Sequence, residues 1–154
     1  MRIHQTAKHL KRRSGTVLAE MAVVMPVFFL IIFALFEFGH AYLAVNVLNA
    51  AASRAARIGA VEGATNAEVL AAANEIIDAG LPANSASVSI KNGNIFDEGS
   101  AAEISSLPDL NIADCEPRQL FIVHVTVDYD DIGIMGPRWL TGLKLHGEAV
   151  MRHE

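Results

Sequence analysis

Residues 14–60 read SGTVLAEMAVVMPVFFLIIFALFEFGHAYLAVNVLNAAASRAARIGA. From Met21 to Phe36 every side chain is apolar, with Pro26 interrupting the helical pattern. Adding Thr16–Ala19 and Glu20 in front and Glu37–Phe38 behind gives Thr16–Phe38, 23 positions. At about 1.5 Å per residue such a helix is ~34 Å long, enough to cross a hydrocarbon core of about 30 Å. Buried inside a soluble protein instead, the same helix needs a large core around it, and the rest of the chain is too short and too polar to supply one. Glu20 is the odd residue. A carboxylate near the start of a span is costly unless it sits at the headgroups or has a partner.

Working outward, the segment in front is basic. Arg2, Lys8, Lys11, Arg12 and Arg13 give residues 1–15 a charge of +5 with no acid, so a formal net charge of −5 leaves −10 on the remaining 139 residues. Positive residues flanking a span stay in the cytoplasm, which puts the N-terminus inside and the acidic body outside. An acidic body excludes nucleic acid as a partner, because phosphate contacts need a basic surface. The single cysteine, Cys115, cannot close an internal disulfide. Hydrophobic residues make up 52% of the 154-residue chain, and mean hydropathy is +0.32, high for a small domain that lives in water alone. Three readings of the run stand together: a secretory signal peptide with Ala41 or Ala44 near its cleavage point, an uncleaved single-span anchor, and a leader cut before the span at Gly15.

Beyond Gly39 the helical pattern continues with smaller residues. Ala41, Ala44, Val45, Leu48, Ala51, Ala52, Ala55, Ile58 and Gly59 keep the three-and-four spacing of one apolar stripe. Alanine has the best helix propensity, so one helix from Thr16 to about Ala60 is expected, ~67 Å long at the standard rise. The stripe is expected to pack on the protein's own sheet, with Arg54 and Arg57 in solvent.

At this point the residues resemble a known family. The basic pair Arg12–Arg13, then Gly15, with Glu20 five positions later, resembles the prepilin-peptidase site of type IV pilin-like proteins. Together with Pro26, EFG at Glu37–Gly39 and AASRAARIGA at 51–60, the stretch resembles the TadE family of tight-adherence pilus assembly systems. The resemblance covers about residues 11–61, and more loosely the late strands and the closing AVMRHE. Met21 departs from the pattern, since the family usually carries an aromatic after the first glutamate, and the sister family TadF shares much of the signature.

The resemblance implies a minor pseudopilin of a tight-adherence (Tad/Flp) pilus assembly or secretion system, concerned with cell adhesion. A membrane prepilin peptidase is expected to cut between Gly15 and Thr16. The implied partners are the lipid bilayer, that peptidase, other pilin or pseudopilin subunits and the assembly platform. The implied place is the bacterial inner membrane, single-pass, with the C-terminal domain periplasmic or extracellular. The alternative is an uncleaved single-pass protein displaying an extracytoplasmic partner-binding domain.

Physical chemistry gives these residues work to do. Gly15 lets the backbone enter a tight cleft, or simply makes a flexible turn. Arg12 and Arg13 set topology and hold the scissile bond near the cytoplasmic face. Cleavage creates a cationic α-amine on Thr16, and Glu20, one turn along, can neutralise it in its own chain or a neighbour's. Glu20 then also lies in the first helical turn, where the macrodipole favours an anion. Pro26 removes a backbone hydrogen bond and clashes with the carbonyl of Ala22, loosening the helix. Glu37 and Phe38 mark the outer boundary, with His40 and Tyr42 at the interfacial level.

The body, residues 61–154, is expected to be small and mixed. VEGAT (61–65) breaks the first helix; Thr65 with Glu68 has capping-box spacing. A second helix follows over about Asn66–Ala79, stopped by Gly80 and Pro82. Ser85–Lys91 alternates like a strand, and Asn92–Gly93 signals a turn. Residues 94–118 read as a long exposed connection of variable shape. Gln119–Tyr129 is the strongest strand, with Phe121, Val123, Val125, Val127 and Tyr129 on one face. Gly133–Gly142 reads as a loop carrying Trp139, whose ring is expected in the core, and Leu143–Arg152 as a final strand. The fold class is therefore α+β, pilin-like: a long N-terminal helix, a second helix and a mainly antiparallel three-stranded sheet. The expected divisions are a leader at 1–15, a span at 16–38, its extension at 39–60 and the outer domain at 61–154.

His124 and Asp128 share a strand face and, with Asp130 and Asp131, raise the question of a metal, but no further ligand is set by spacing. Glycine-rich phosphate loops, nucleophile elbows and paired-cysteine motifs are absent from the sequence. No catalytic residue, cofactor or metal is assigned, and the expectation is a protein that is not an enzyme.

Overall fold

The computed structural model describes residues 4–97, 99, 101–134 and 139–154, the stretch 4–14 through its backbone alone. Its elements are α1 (His4–Gly59), α2 (Asn66–Gly80), β1 (Ala86–Asn92), α3 (Asn94–Asp97), β2 (Leu120–Asp128), α4 (Tyr129–Ile132) and β3 (Lys144–Arg152), with single 3-10 turns at Ile104–Ser106 and Ile112–Asp114. The chain divides into two units, Met1–Phe38 and Gly39–Glu154. The first, where described, is the helical stretch up to Phe38.

In the second unit the sheet is antiparallel throughout, in the order β1-β2-β3. The period-two pattern of β2 sets its faces: Phe121, Val123, Val125 and Val127 are buried on one side. Register adds Val88 and Ile90 from β1 and Leu145, Gly147, Ala149 and Met151 from β3 to that face. The alanine stripe of α1 packs into the same core, with Ala44, Leu48, Ala51, Ala52, Ala55 and Ala56 almost wholly buried. Ala56 was not in the expected stripe, which otherwise holds, though Val45 and Ile58 are half-buried. Each fully buried Leu, Val or Phe contributes about 1.5–3 kcal/mol of transfer free energy. Small side chains on both sides let backbone approach backbone: a Cβ at Gly147 would run into the backbone of Leu48, and Asn49 Oδ1 accepts from the Glu148 N–H at 3.3 Å.

Helix α2 begins as its capping box predicts. Thr65 Oγ1 accepts from the Glu68 N–H, and the Glu68 carboxylate accepts from the Thr65 N–H at 3.0 Å. Val69, Ala73 and Ile77 bury its apolar face, together with Ala72. Gly63, at φ +82°, turns the chain from α1 to α2 in a conformation that L side chains resist. The C-terminus closes on the end of α1. The buried His153 ring is 2.9 Å from the Gly59 carbonyl, which can only accept, so Nδ1 carries the proton; the Glu154 N–H donates to the Ala60 carbonyl at 2.8 Å.

Two expectations are corrected. The connection 94–118 is not simply exposed. Asn66 Oδ1 accepts from the Ile112 N–H at 2.7 Å, the Leu110 N–H donates to the Ile90 carbonyl at 2.9 Å, Lys91 pairs with Asp109 at 2.7 Å, and Ile112 and Leu107 are buried. Arg152 grips Asp97 through two nitrogens, at 2.6 and 3.0 Å, pinning α3 to β3. Trp139 is not in the core: it is 43% exposed, and the buried positions at that end are held by Tyr129 and Ile132 of α4 and Leu145 of β3. Arg54 pairs across to Glu75 at 3.4 Å on an exposed surface, while Arg57 donates to the Ser53 carbonyl one turn back.

Candidate functional site

The candidate site is the exposed apolar helix of the first unit. Between Gly15 and Phe38 no residue is buried, and all but the half-buried Ile32, Ala34 and Glu37 are exposed. Its most apolar 18-residue window has a mean hydropathy of 2.5 with none of it covered by protein. The apolar side chains point to every side: Val17, Leu18, Val23, Val24, Val27 and Leu35 each have more than half their surface open. A helix that is apolar all round is stable only inside a protein core or a membrane. Left in water, each such side chain forfeits about 1.5–3 kcal/mol. The length and composition are those of a single membrane span.

Gly15 lies inside α1, and a Cβ built there meets nothing within 4 Å. The helix therefore does not break at Gly15; it begins at His4. Thr16 and Glu20 are both exposed and four positions apart, so their side chains fall on one face, one turn removed. Arg12 and Arg13 lie on the helical backbone, and their side chains are outside the described residues. Pro26 sits within α1, at a position where the Ala22 carbonyl loses its usual donor. Glu37 is half-buried, Phe38 is exposed, and Gly39, with open space around its Cβ position, starts the second unit.

Sequence reasoning passed over one feature of the span. Phe28 and Phe29 meet edge-on with ring centroids 5.8 Å apart, and Phe29 stacks on Phe33 at 6.3 Å, giving an aromatic ridge whose faces remain open. The signal was the i, i+4 spacing of Phe29 and Phe33.

The second unit has its own polar groups. His124 Nδ1 faces Glu148 Oε1 at 3.1 Å across β2 and β3, and its ring stacks on His146 at 6.1 Å. Asp128 pairs instead with Lys144 at 3.6 Å, so His124 and Asp128 do not converge. Among the described residues, no group of three or more His, Cys, Asp or Glu is arranged to hold a metal ion. Partial burial, with the Asp114 carboxylate beside it, pushes the Cys115 thiol up from its ordinary value.

A family model described as TadE-like protein matches residues 15–57, beginning at Gly15 and ending near the close of α1. Of the residues that carried the resemblance, Gly15, Glu20, Pro26 and Glu37–Gly39 fall inside the stretch that matches the TadE-like family, while the basic pair Arg12–Arg13 lies in front of it. No curated protein and no solved structure matches the chain.

Proposed function

We propose that this chain is a minor pseudopilin of a tight-adherence pilus assembly or secretion system, processed by a prepilin peptidase after Gly15 and assembling through its N-terminal helix. The TadE-like match relates it to Tad pilus proteins, a pilus-associated structural family. The observation that carries the reading is the conjunction, on one uncovered apolar helix, of a small residue at position 15 and a carboxylate one turn past the new N-terminus. In lipid that carboxylate is expensive alone and cheap beside an ammonium. Scission of the Gly15–Thr16 bond supplies the ammonium. Pairing of Glu20 with the Thr16 amine of its own or a neighbouring chain then fixes axial register. In this reading the bilayer holds the single span, Arg12 and Arg13 remain in the cytoplasm, and the second unit works outside the inner membrane. Pilin or pseudopilin subunits and the assembly platform are its partners.

A second reading has a specific observation in its favour. Because α1 starts at His4, the Gly15–Thr16 bond is helical, and a peptidase must unwind it before cutting. An uncleaved single-pass protein that displays an extracytoplasmic partner-binding domain needs no such step. Intact mass of membrane-extracted protein, co-expressed with its peptidase, separates the two. Loss of residues 1–15, abolished by Gly15→Trp, is the expected result; a full-length wild-type chain leaves the second reading standing.

A further inference from the structure

The chain has a single tryptophan, Trp139, and its position poses a problem, since a large ring left open to water at 43% exposure is unfavourable. It does not stand alone. Among the described residues of the second unit, the exposed large apolar side chains are Tyr42, Leu43, Ile134, Trp139 and Leu143, and then Val61, Ile95 and Val150. The last three lie singly just past α1, on α3 and on β3, as scattered surface residues do. The first five share one end of the unit. Tyr129 anchors them there: its ring lies 6.0 Å from His40 in α1, its N–H donates to the Leu143 carbonyl at 2.9 Å, and its carbonyl accepts from the Gly133 N–H at 3.0 Å. Gly142 N–H donates to Asp130 Oδ2 at 3.0 Å and Leu143 N–H to the Leu140 carbonyl at 3.1 Å, so residues 129–134 and 139–143 are knit into one platform beside the first turn of the unit.

That turn follows Phe38 directly. His40 is two residues past the end of the apolar run and Leu43 five, about 3 and 7.5 Å along a helix. The polar headgroup layer of a bilayer leaflet is about 5–7 Å deep, and tryptophan and tyrosine concentrate in it because their rings are apolar bodies with a polar edge. We propose that Ile134, Trp139 and Leu143, with Tyr42 and Leu43, form a foot by which the second unit rests in the headgroup layer of the bilayer its own span crosses. This rests on the reading of residues 16–38 as a membrane span. The contact is apolar rather than electrostatic. Among the described residues of this end, Asp128 is engaged by Lys144 and Asp130 by Gly142, while Asp131 adds an exposed negative charge, so these residues give it no preference for anionic lipid.

The single tryptophan makes the test direct. The full chain is reconstituted into phosphatidylcholine vesicles carrying bromine either near the headgroup end of the acyl chains or near the bilayer centre. Trp139 emission is expected to fall markedly with shallow bromine and much less with deep bromine, insensitive to salt, and Ile134→Asp, at a position 78% exposed and so without effect on folding, is expected to weaken the shallow quenching. Emission indifferent to both positions overturns the foot. So does emission that instead tracks the protein-to-lipid ratio, which means that a second copy covers the ring. Flotation after a carbonate wash separates the two levels. Protein that floats with unquenched Trp139 defeats the foot alone; protein that washes off defeats the span and the foot together.

Discussion

At Gly147 the fold leaves no room for a single carbon. A Cβ there meets the backbone of Leu48, which cannot rotate aside as a side chain would. Gly147→Ala is expected to cost about 3 kcal/mol, the upper end for overpacking, and to lower the thermal midpoint of the detergent-solubilised chain measured by circular dichroism. Cys115 gives a pH-dependent expectation. Burial and Asp114 raise its pKa in the folded state, so the folded protein holds that proton more firmly than the unfolded one. The sign follows: stability is intact at neutral pH and declines as pH climbs through the ordinary thiol range toward the folded pKa. Thermal midpoints measured from about pH 7 to pH 10 should fall, less steeply in Cys115→Ser. In the span, Glu20→Gln keeps size and loses charge. If a charge-assisted bond of about 1.5–3 kcal/mol holds register, assembly into filament should drop roughly ten- to hundredfold, read as sheared pilus material per cell, while membrane insertion persists.

Among the elements, α2 was the most legible, because its start is local chemistry. Thr65, Glu68 and the apolar spacing behind them specify a helix without help from the rest of the chain. Thr65→Ala is expected to cost about 1 kcal/mol, seen as faster hydrogen exchange at Glu68 and Val69 than in the parent. The connection 94–118 is the opposite case. Nothing in its turn-rich composition says that Asn66, 46 residues before Ile112, supplies the acceptor for that residue's N–H. Such bonds join residues far apart in sequence, and only the packed arrangement brings them within reach. The same holds for Trp139. A tryptophan beside a turn reads as an anchor into the core, but at that end of the sheet the buried positions are held by Tyr129, Ile132 and Leu145. The extent of α1 was likewise understated in front, since helical backbone continues through the basic segment to His4.

For the whole molecule, the two units differ in what holds them. Among the described residues, those of the span from Gly15 to Phe38 are not buried, whereas the buried core lies in the second unit. Heating the chain in detergent is therefore expected to give one cooperative loss of the sheet and α2 signals, with the helical signal of residues 16–38 surviving beyond it. A single transition that removes all helix at once contradicts this division. Residues 12–26 and the run after them determined, by themselves, that a long apolar helix exists, where it begins to be charged, and which family it matches. Those properties depend on neighbours along the chain and on solvent, which a sequence states directly. The second unit's three strands, and the Phe121–Val127 face of β2, were also legible from period-two alternation, because the alternation is set locally; the burial of Ile122 on the opposite face was not. The structure alone decided which small residues let α1 lie against β3, how residues 94–118 are tied down, and which rings are left at the surface, because each depends on a volume filled or left open by residues distant in sequence.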